Sequence, residues 1–416
     1  MSSMQVPDMK NSQQPKAAVG KVPYYWWVIV LTTLAMVQEG LVIQGIPVLY
    51  PFIREEFGLT RAQIGLITSG LFSASMFTVI IGGWISDVYG AKRILVIMML
   101  YSLLPILAFT LVQSFHVAIV VGFLIGISAG PCYPATSKAI MDWVPQKIRA
   151  FGMSLKQTGP TLAGALAAIT LPYLAIHYGW RSGLFALAIV TVLVLVIFQI
   201  FYRDVPRTKS NIRKPSVSDF GEIVKNPSLV ILTIWGFFFV GLQFIILSYL
   251  ILFLVENLKY SEVTAGAFLG IALVVSTVAR ILWGAACDFL LNSRRKVTLG
   301  IIGFTAGLSF ILIVLVNHET PVWAVMLLIG AMGGSAMSWP GIFTTYVAEI
   351  SGSERSGTAI GSTNAIMRIG AIIVPPFFGL SADVSGSYTI GWLAMGCSAI
   401  IATLIMLSIA KEADPT

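Results

Sequence analysis

Apolar positions along this 416-residue chain collect into long runs separated by short polar stretches. The runs lie near 24–50, 62–86, 92–114, 116–138, 151–173, 182–202, 228–254, 262–287, 297–317, 320–346, 357–380 and 387–410. Each reaches the roughly 18 residues that let a helix cross about 30 Å of hydrocarbon. The pattern predicts an all-α membrane protein with twelve spanning helices. Lys156 and Pro160 interrupt the fifth run, which makes it the least regular of the set.

The polar stretches divide the chain further. Residues 1–23 and 411–416 read as tails and 203–227 as a linker, which leaves six-helix bundles at 24–202 and 228–410. The tail at 1–23 carries Lys10, Lys16 and Lys21 without an apolar core, so it does not read as a cleaved signal. The two bundles share sequence features. Gly83, Asp87 and Arg93 recur at an offset of 201 as Gly284, Asp288 and Arg294. Arg149 through Gly164 recurs as Arg355 through Gly370 at an offset of 206, which also pairs Tyr133-Pro134 with Trp339-Pro340. Repeats near half the chain length indicate a duplicated unit, as in carriers whose halves rock about a site between them.

Composition agrees. The chain is 57% hydrophobic and 11% charged, against about 25% charged in ordinary proteins. The net charge of +8 would suit nucleic acid, but its distribution excludes that reading. With twelve spans, 19 of the 26 Lys and Arg fall on the side that holds both ends and only four (Arg54, Arg61, Arg181 and Lys259) on the other. This asymmetry predicts a multi-pass protein of the cytoplasmic (inner) membrane with both termini cytoplasmic. The basic excess is then a topology signal with some attraction for the lipid bilayer.

The remaining three cations, Lys156, Arg280 and Arg368, sit inside spans with a single acid, Glu39, for company. A charge at the bilayer centre costs about 2.5–3.5 kcal/mol on insertion scales, so such residues mark pathways. At about 1.5 Å per residue, Arg368 lies about 18 Å and Glu39 about 22 Å into their helices. Arg280 lies about 12 Å from Asp288, and Lys156, about 10 Å from Arg149, is shallow enough to snorkel. Three positive charges against one negative predict a site that a small organic anion completes.

The segment from Gly83 to Arg93 resembles the signature loop of the major facilitator superfamily, met here by Gly83, Asp87, Gly90, Lys92 and Arg93. In that family the loop is a gate latch. The second copy keeps Gly284, Asp288 and the basic run from Arg294 to Lys296 but lacks the central glycine. The run from Pro131 to Gly159, with Gly179-Trp180-Arg181, is similar to the anion:cation symporter branch. Arg280 followed by Gly284 resembles the motif of monocarboxylate, oxalate and nitrate carriers, whose Arg binds the anion. Gln38-Glu39 stands where sugar-phosphate and sugar-acid symporters often carry Arg, and Gly130 where many have an acid. The departures point away from a sugar phosphate.

The resemblance implies the two-bundle major facilitator fold and a cavity bounded by the helices that carry the buried charges. With the resemblance for Arg280 and the cost of buried charge for Arg368 and Lys156, these three are the candidates for substrate contact, and their rival roles are structural pairing or snorkelling. Gln157 and Asn364 are candidates to hydrogen-bond a carboxylate, and Tyr133 and Trp339 to wall the site. Glu39 is the candidate for proton coupling, with a salt-bridge partner or plain neutraliser as alternatives. Gly83, Asp87, Gly90, Arg93, Gly284, Asp288 and Arg294 are the gating candidates.

The expected function is secondary active import of a small organic anion, a carboxylate, by alternating access coupled to protons or sodium. A monomer suffices for this, with no cofactor. Proton-linked efflux of amphipathic compounds is the alternative, and a membrane enzyme or transporter-derived sensor a remote one. Cys132, Cys287 and Cys397 lie far apart, and His116, His177 and His318 lack ligand spacing, so no metal cluster is expected. Gly126-Ile-Ser-Ala-Gly130 matches a nucleophile motif but lies inside an apolar span, where it reads as a small-residue packing stripe.

Overall fold

A computed structural model describes residues 23–205, 226–351 and 356–412. Twelve of its helices are long and apolar enough to cross a membrane. They are α1 Tyr24–Val48, α2 Arg61–Tyr89, α3 Ala91–Phe109, α4 Phe115–Trp143, α5 Phe151–Tyr178 and α6 Trp180–Phe201, then α7 Pro227–Leu258, α8 Glu262–Leu290, α9 Arg295–Leu315, α10 Val322–Ser351, α11 Ser356–Ser385 and α12 Thr389–Ile409. Each of the twelve predicted runs falls on one of them. The expected tail at 1–23 and most of the linker at 203–227 lie outside the described residues, as do Arg355 and most of 411–416.

Proline sets the irregularities. α4 is interrupted at Gly130-Pro131 and α10 between Ala336 and Pro340. α5 breaks at Thr158, with Pro160 in the first turn of its second segment. A proline ring lacks the N–H that would continue the ladder and crowds the carbonyl one turn back. Each break therefore leaves backbone carbonyls unbonded near mid-membrane, where there is no bulk water to satisfy them.

An even number of spans brings both ends of the chain to one face. Tyr24 Oη, at the start of α1, donates to Phe201 O at the end of α6 (2.8 Å), and Tyr346 Oη donates to Lys411 O (2.7 Å). We call this the terminal face and its opposite the far face. Between the first six helices and the last six, α2 packs on α11 and α5 on α8. Glycine permits the close approach. A Cβ on Gly379 of α11 would stand 2.3 Å from Arg61 O, and one on Gly266 of α8 would stand 2.2 Å from Ala168 O of α5.

Near the far face the same two groups of helices are tied by charge. Glu256 of α7 accepts from Arg61 Nη2 (2.6 Å), from Arg54 and from Tyr388 Oη (3.1 Å). Asp383 of α11 accepts from the backbone N–H groups of Arg61 (3.0 Å) and Ala62 (2.8 Å), so it caps the α2 N-terminus from the other half. Tyr249 Oη donates to Arg61 O and Pro375 O, each at 2.8 Å. Within the first half, Glu56 lies between spans and takes a fork from Arg181 (2.7 and 2.9 Å). Those hydrogen bonds hold its carboxyl below the usual carboxylate range.

Gly379→Ala is expected to lower the melting temperature of purified protein, because overpacking costs about 1–3 kcal/mol. Gly341→Ala, whose Cβ would meet nothing within 4 Å, is expected to leave it unchanged or raise it slightly. Equal melting temperatures for the two variants would contradict the packing described.

Candidate functional site

Midway between the faces, the four charges predicted from sequence lie on α1, α5, α8 and α11. Arg368 of α11 is half-buried and donates from Nη1 to Ser75 Oγ of α2 (3.1 Å). Among the described residues it has no acidic partner within ion-pair distance. A guanidinium carries a planar fork of donors, and here one side-chain bond among the described residues occupies it. Ser75 went unremarked in the sequence, where nothing distinguishes it from Ser69, Ser73 or Thr78 on the same helix.

Arg280 is held differently. Its Nε and Nη2 donate to Met337 O (3.2 and 3.0 Å), and Nη1 reaches Gln157 O (3.4 Å). Met337 caps the first segment of α10 and Gln157 ends the first segment of α5. The guanidinium thus meets the negative ends of two half-helices, one from each half of the chain. The breaks that deprive those carbonyls of N–H partners also give Arg280 its acceptors.

Lys156 is fully buried. Its Nζ donates to Ser137 Oγ (2.6 Å), Thr136 Oγ1 (3.0 Å) and Tyr133 O (3.2 Å), and it lies 4.3 Å from the centre of the Tyr133 ring. The ammonium is occupied on all sides by α4, so snorkelling to the surface does not describe it. Gln157 Nε2 donates to Tyr133 Oη (3.0 Å), and Tyr133 is 39% exposed.

Glu39 makes no hydrogen bond or ion pair among the described residues, although Arg368 and Lys156 are near enough to act on its charge. Asn364 is exposed and turns its Nδ2 back to Ile360 O (2.8 Å). Trp339 is buried against Trp235, Phe239 and Phe343, inside the second half's aromatic core. The structure therefore gathers Arg368, Tyr133, Gln157, Lys156, Arg280 and Glu39 around the contact between halves, and sets Trp339 behind it.

The gate-loop residues lie toward the terminal face. A Cβ on Gly83 would stand 3.6 Å from Pro134 Cβ, and Gly90 turns the chain at φ +98°. Arg93 is exposed, and the Asp87 side chain lies outside the described residues. In the second copy Asn292 and Ser293 take positive φ, 51° and 59°, and so supply the turn that the missing glycine left open. Asp288 pairs there with Arg295, which also reaches Glu349 Oε1 (3.3 Å), while Arg294 is exposed and Gly284 has open space around it. The cation that meets Asp288 belongs to the same half.

Twelve spans in two groups of six, meeting at cations that lack acidic partners, define a membrane transporter rather than an enzyme. The chain belongs to the Major Facilitator Superfamily, whose family model matches residues 29–375. It is 27% identical over 396 residues to a cis,cis-muconate transport protein of Acinetobacter baylyi, covering 91% of this chain and 92% of that one. It is 23% identical over 385 residues to a probable sulfoacetate transporter of Cupriavidus necator, covering 88% and 89%. Among solved structures, a bacterial homologue of the human lysosomal transporter Spinster, inward-facing and occupied, superposes with a TM-score of 0.76. Identity there is 18%, over 94% of this chain and 96% of that one.

Arg280→Ala is expected to destabilise the protein more than Arg368→Ala. It strips donors from two buried carbonyls, at about 1–3 kcal/mol for each group left unsatisfied. Melting temperatures of the two variants in detergent check this; a larger drop for Arg368→Ala would contradict it.

Proposed function

We propose that this chain imports a small organic anion, a carboxylate, across the cytoplasmic membrane by alternating access, with uptake driven by protons. The observation that carries the reading is Arg368, held near mid-membrane by one serine and without an acid within ion-pair distance among the described residues. A carboxylate supplies both the missing charge and a bidentate partner for the fork. Tyr133 and Gln157 stand ready to orient it, and Lys156 adds positive potential from behind the ring. Arg280 serves the same anion from the contact with α5 and α10, and must let go of Gln157 O when the halves part. Asn364 and Trp339 remain at the margin, one on the exposed side of α11 and one behind the wall.

Several features support the rest. Two relatives are named for muconate and sulfoacetate, acids that are anions at neutral pH. The excess of Lys and Arg on the terminal face supports cytoplasmic termini. The cross-half bonds between described residues lie at the far face or mid-membrane, which supports a state shut to the outside. In this reading 24–202 and 228–410 are the rocking bundles, joined by the segment at 203–227. Gly83, Asp87, Gly90, Arg93, Gly284, Asp288 and Arg294 then form the cytoplasmic latch, and one copy of the chain is the working unit. Glu39 couples the proton: while charged it competes with the substrate for Arg368, and protonation releases the guanidinium.

Purified protein in liposomes with an inward proton gradient and labelled cis,cis-muconate tests the proposal. Accumulation that an uncoupler abolishes, and that Arg368→Ala lowers by about a hundredfold or more, is expected, since loss of a charged hydrogen-bonded partner costs about 2–5 kcal/mol. Uptake unchanged in Arg368→Ala and Arg280→Ala would remove both from recognition. Glu39→Gln is expected to lose gradient-driven accumulation while keeping counterflow; loss of both would show that its role is not confined to coupling.

A further inference from the structure

Along the contact between halves, α2 and α11 run antiparallel in a register that single residues mark. Arg61 meets Asp383, Gly65 lies against Pro375 and Pro376, Ser69 meets Ile372, and Ser75 meets Arg368. The meeting at Ile372 has its cause in the sequence of α11. A helical carbonyl takes the N–H four residues on, or three residues on where the turn tightens to 3₁₀. For Ile372 O those positions are Pro376 and Pro375, and neither has an N–H to give. Ile372 lies about 16 Å along the helix from Asp383, a depth at which an unbonded carbonyl is costly. The donor comes from the other half. Ser69 Oγ reaches Ile372 O (2.5 Å) as well as Gly65 O of its own helix (3.0 Å). One hydroxyl proton serves these two acceptors, and they are unequal. Gly65 O lies in the unbroken backbone ladder of α2, whereas Ile372 O has lost both helical donors. The proton therefore belongs to Ile372 O while the halves touch, and falls back to Gly65 O when they part. Gly65 permits the approach, since a Cβ there would stand 2.5 Å from Pro376 N.

We propose that Ser69 is a positioning residue for Arg368: by holding the carbonyl that the tandem prolines leave open, it fixes the rotation of α11 that aims the guanidinium at the substrate. Arg368 stands about one turn from Ile372 on the same side of the prolines. The ties at Asp383 and Tyr249 fall beyond or at the prolines, on Asp383 itself and on Pro375 O. An interrupted ladder passes their hold on weakly. Ser69 grips the segment before the break, which is the one that carries Arg368. The proposal rests on the reading of Arg368 as the anion's partner and adds the residue that sets its aim.

The test uses purified full-length protein in detergent, melted at rising concentrations of cis,cis-muconate or sulfoacetate. A ligand of the folded state raises the melting temperature, and the melt without anion reports whether each variant folds. Ser69→Ala is expected to raise the half-saturating anion concentration about tenfold, from loss of the donor to a buried carbonyl. Pro376→Ala restores an N–H to Ile372 O within α11, and in that background the same change is expected to raise it less than about twofold. A part in general packing would cost the same in both backgrounds. Ser69→Thr keeps the hydroxyl and is expected to bind as the wild type does; it carries the comparison if Pro376→Ala does not fold. An equal rise in both backgrounds, or a Ser69→Thr protein as weak as Ser69→Ala, overturns the proposal. Wild-type binding by Ser69→Ala removes the positioning role and keeps the transport reading. A wild type that neither anion protects counts against the reading itself, and the role of Ser69 falls with it.

Discussion

A positive charge in hydrocarbon must be solvated by something, and the middle of this protein is organised by how that is done. Three cations, Lys156, Arg280 and Arg368, lie well inside the spans, and among the described residues each is met by oxygen that is not an acid. Lys156 is ringed by two hydroxyls, a carbonyl and an aromatic face. Arg280 is held by the carbonyls that proline breaks leave free. Arg368 has a single hydroxyl. Dipoles lower the cost of these charges without cancelling them, and the residual positive potential is what makes an anion a fitting guest.

The far face follows the opposite rule. There the cations meet acids directly: Glu256 draws in Arg54 and Arg61, and Asp383 caps the first turn of α2. These groups are only partly buried, so their pairs are less expensive to break and remake than ion pairs at mid-membrane would be. Ion pairs at the far face, and deeper cations without an acidic partner among the described residues, divide the interface by depth. Glycines at 65, 266 and 379 let the backbones approach closely enough for both.

Helix breaks link local sequence to this electrostatics. Pro131, Pro160 and Pro340 interrupt α4, α5 and α10, and two of the three breaks present their free carbonyls to one guanidinium. That guanidinium bridges the halves, because Gln157 comes from the first and Met337 from the second. Any motion that separates α5 from α8 must therefore re-solvate Arg280, and in the proposed cycle the anion does so.

The chain by itself determined the number of spans, their places and the face that collects the positive charge. Each depends on a run of apolar residues or a count of Lys and Arg, which are local properties summed along the sequence. It also marked Glu39, Lys156, Arg280 and Arg368, because a charge within an apolar run stands out whatever its neighbours. Which of them is free was decided only by tertiary structure. Lys156 and Arg368 look alike in a hydropathy plot, yet one packs against the hydroxyls of a neighbouring helix and the other faces a contact between halves. The burial of Trp339, the acceptor role of Met337 O, the contact at Ser75 and the pairing of Asp288 with Arg295 share that origin. Such outcomes depend on how helices rotate against one another. A rotation of one residue, about 100° around the axis, moves a side chain from a solvating oxygen to open space without changing any pattern along the chain.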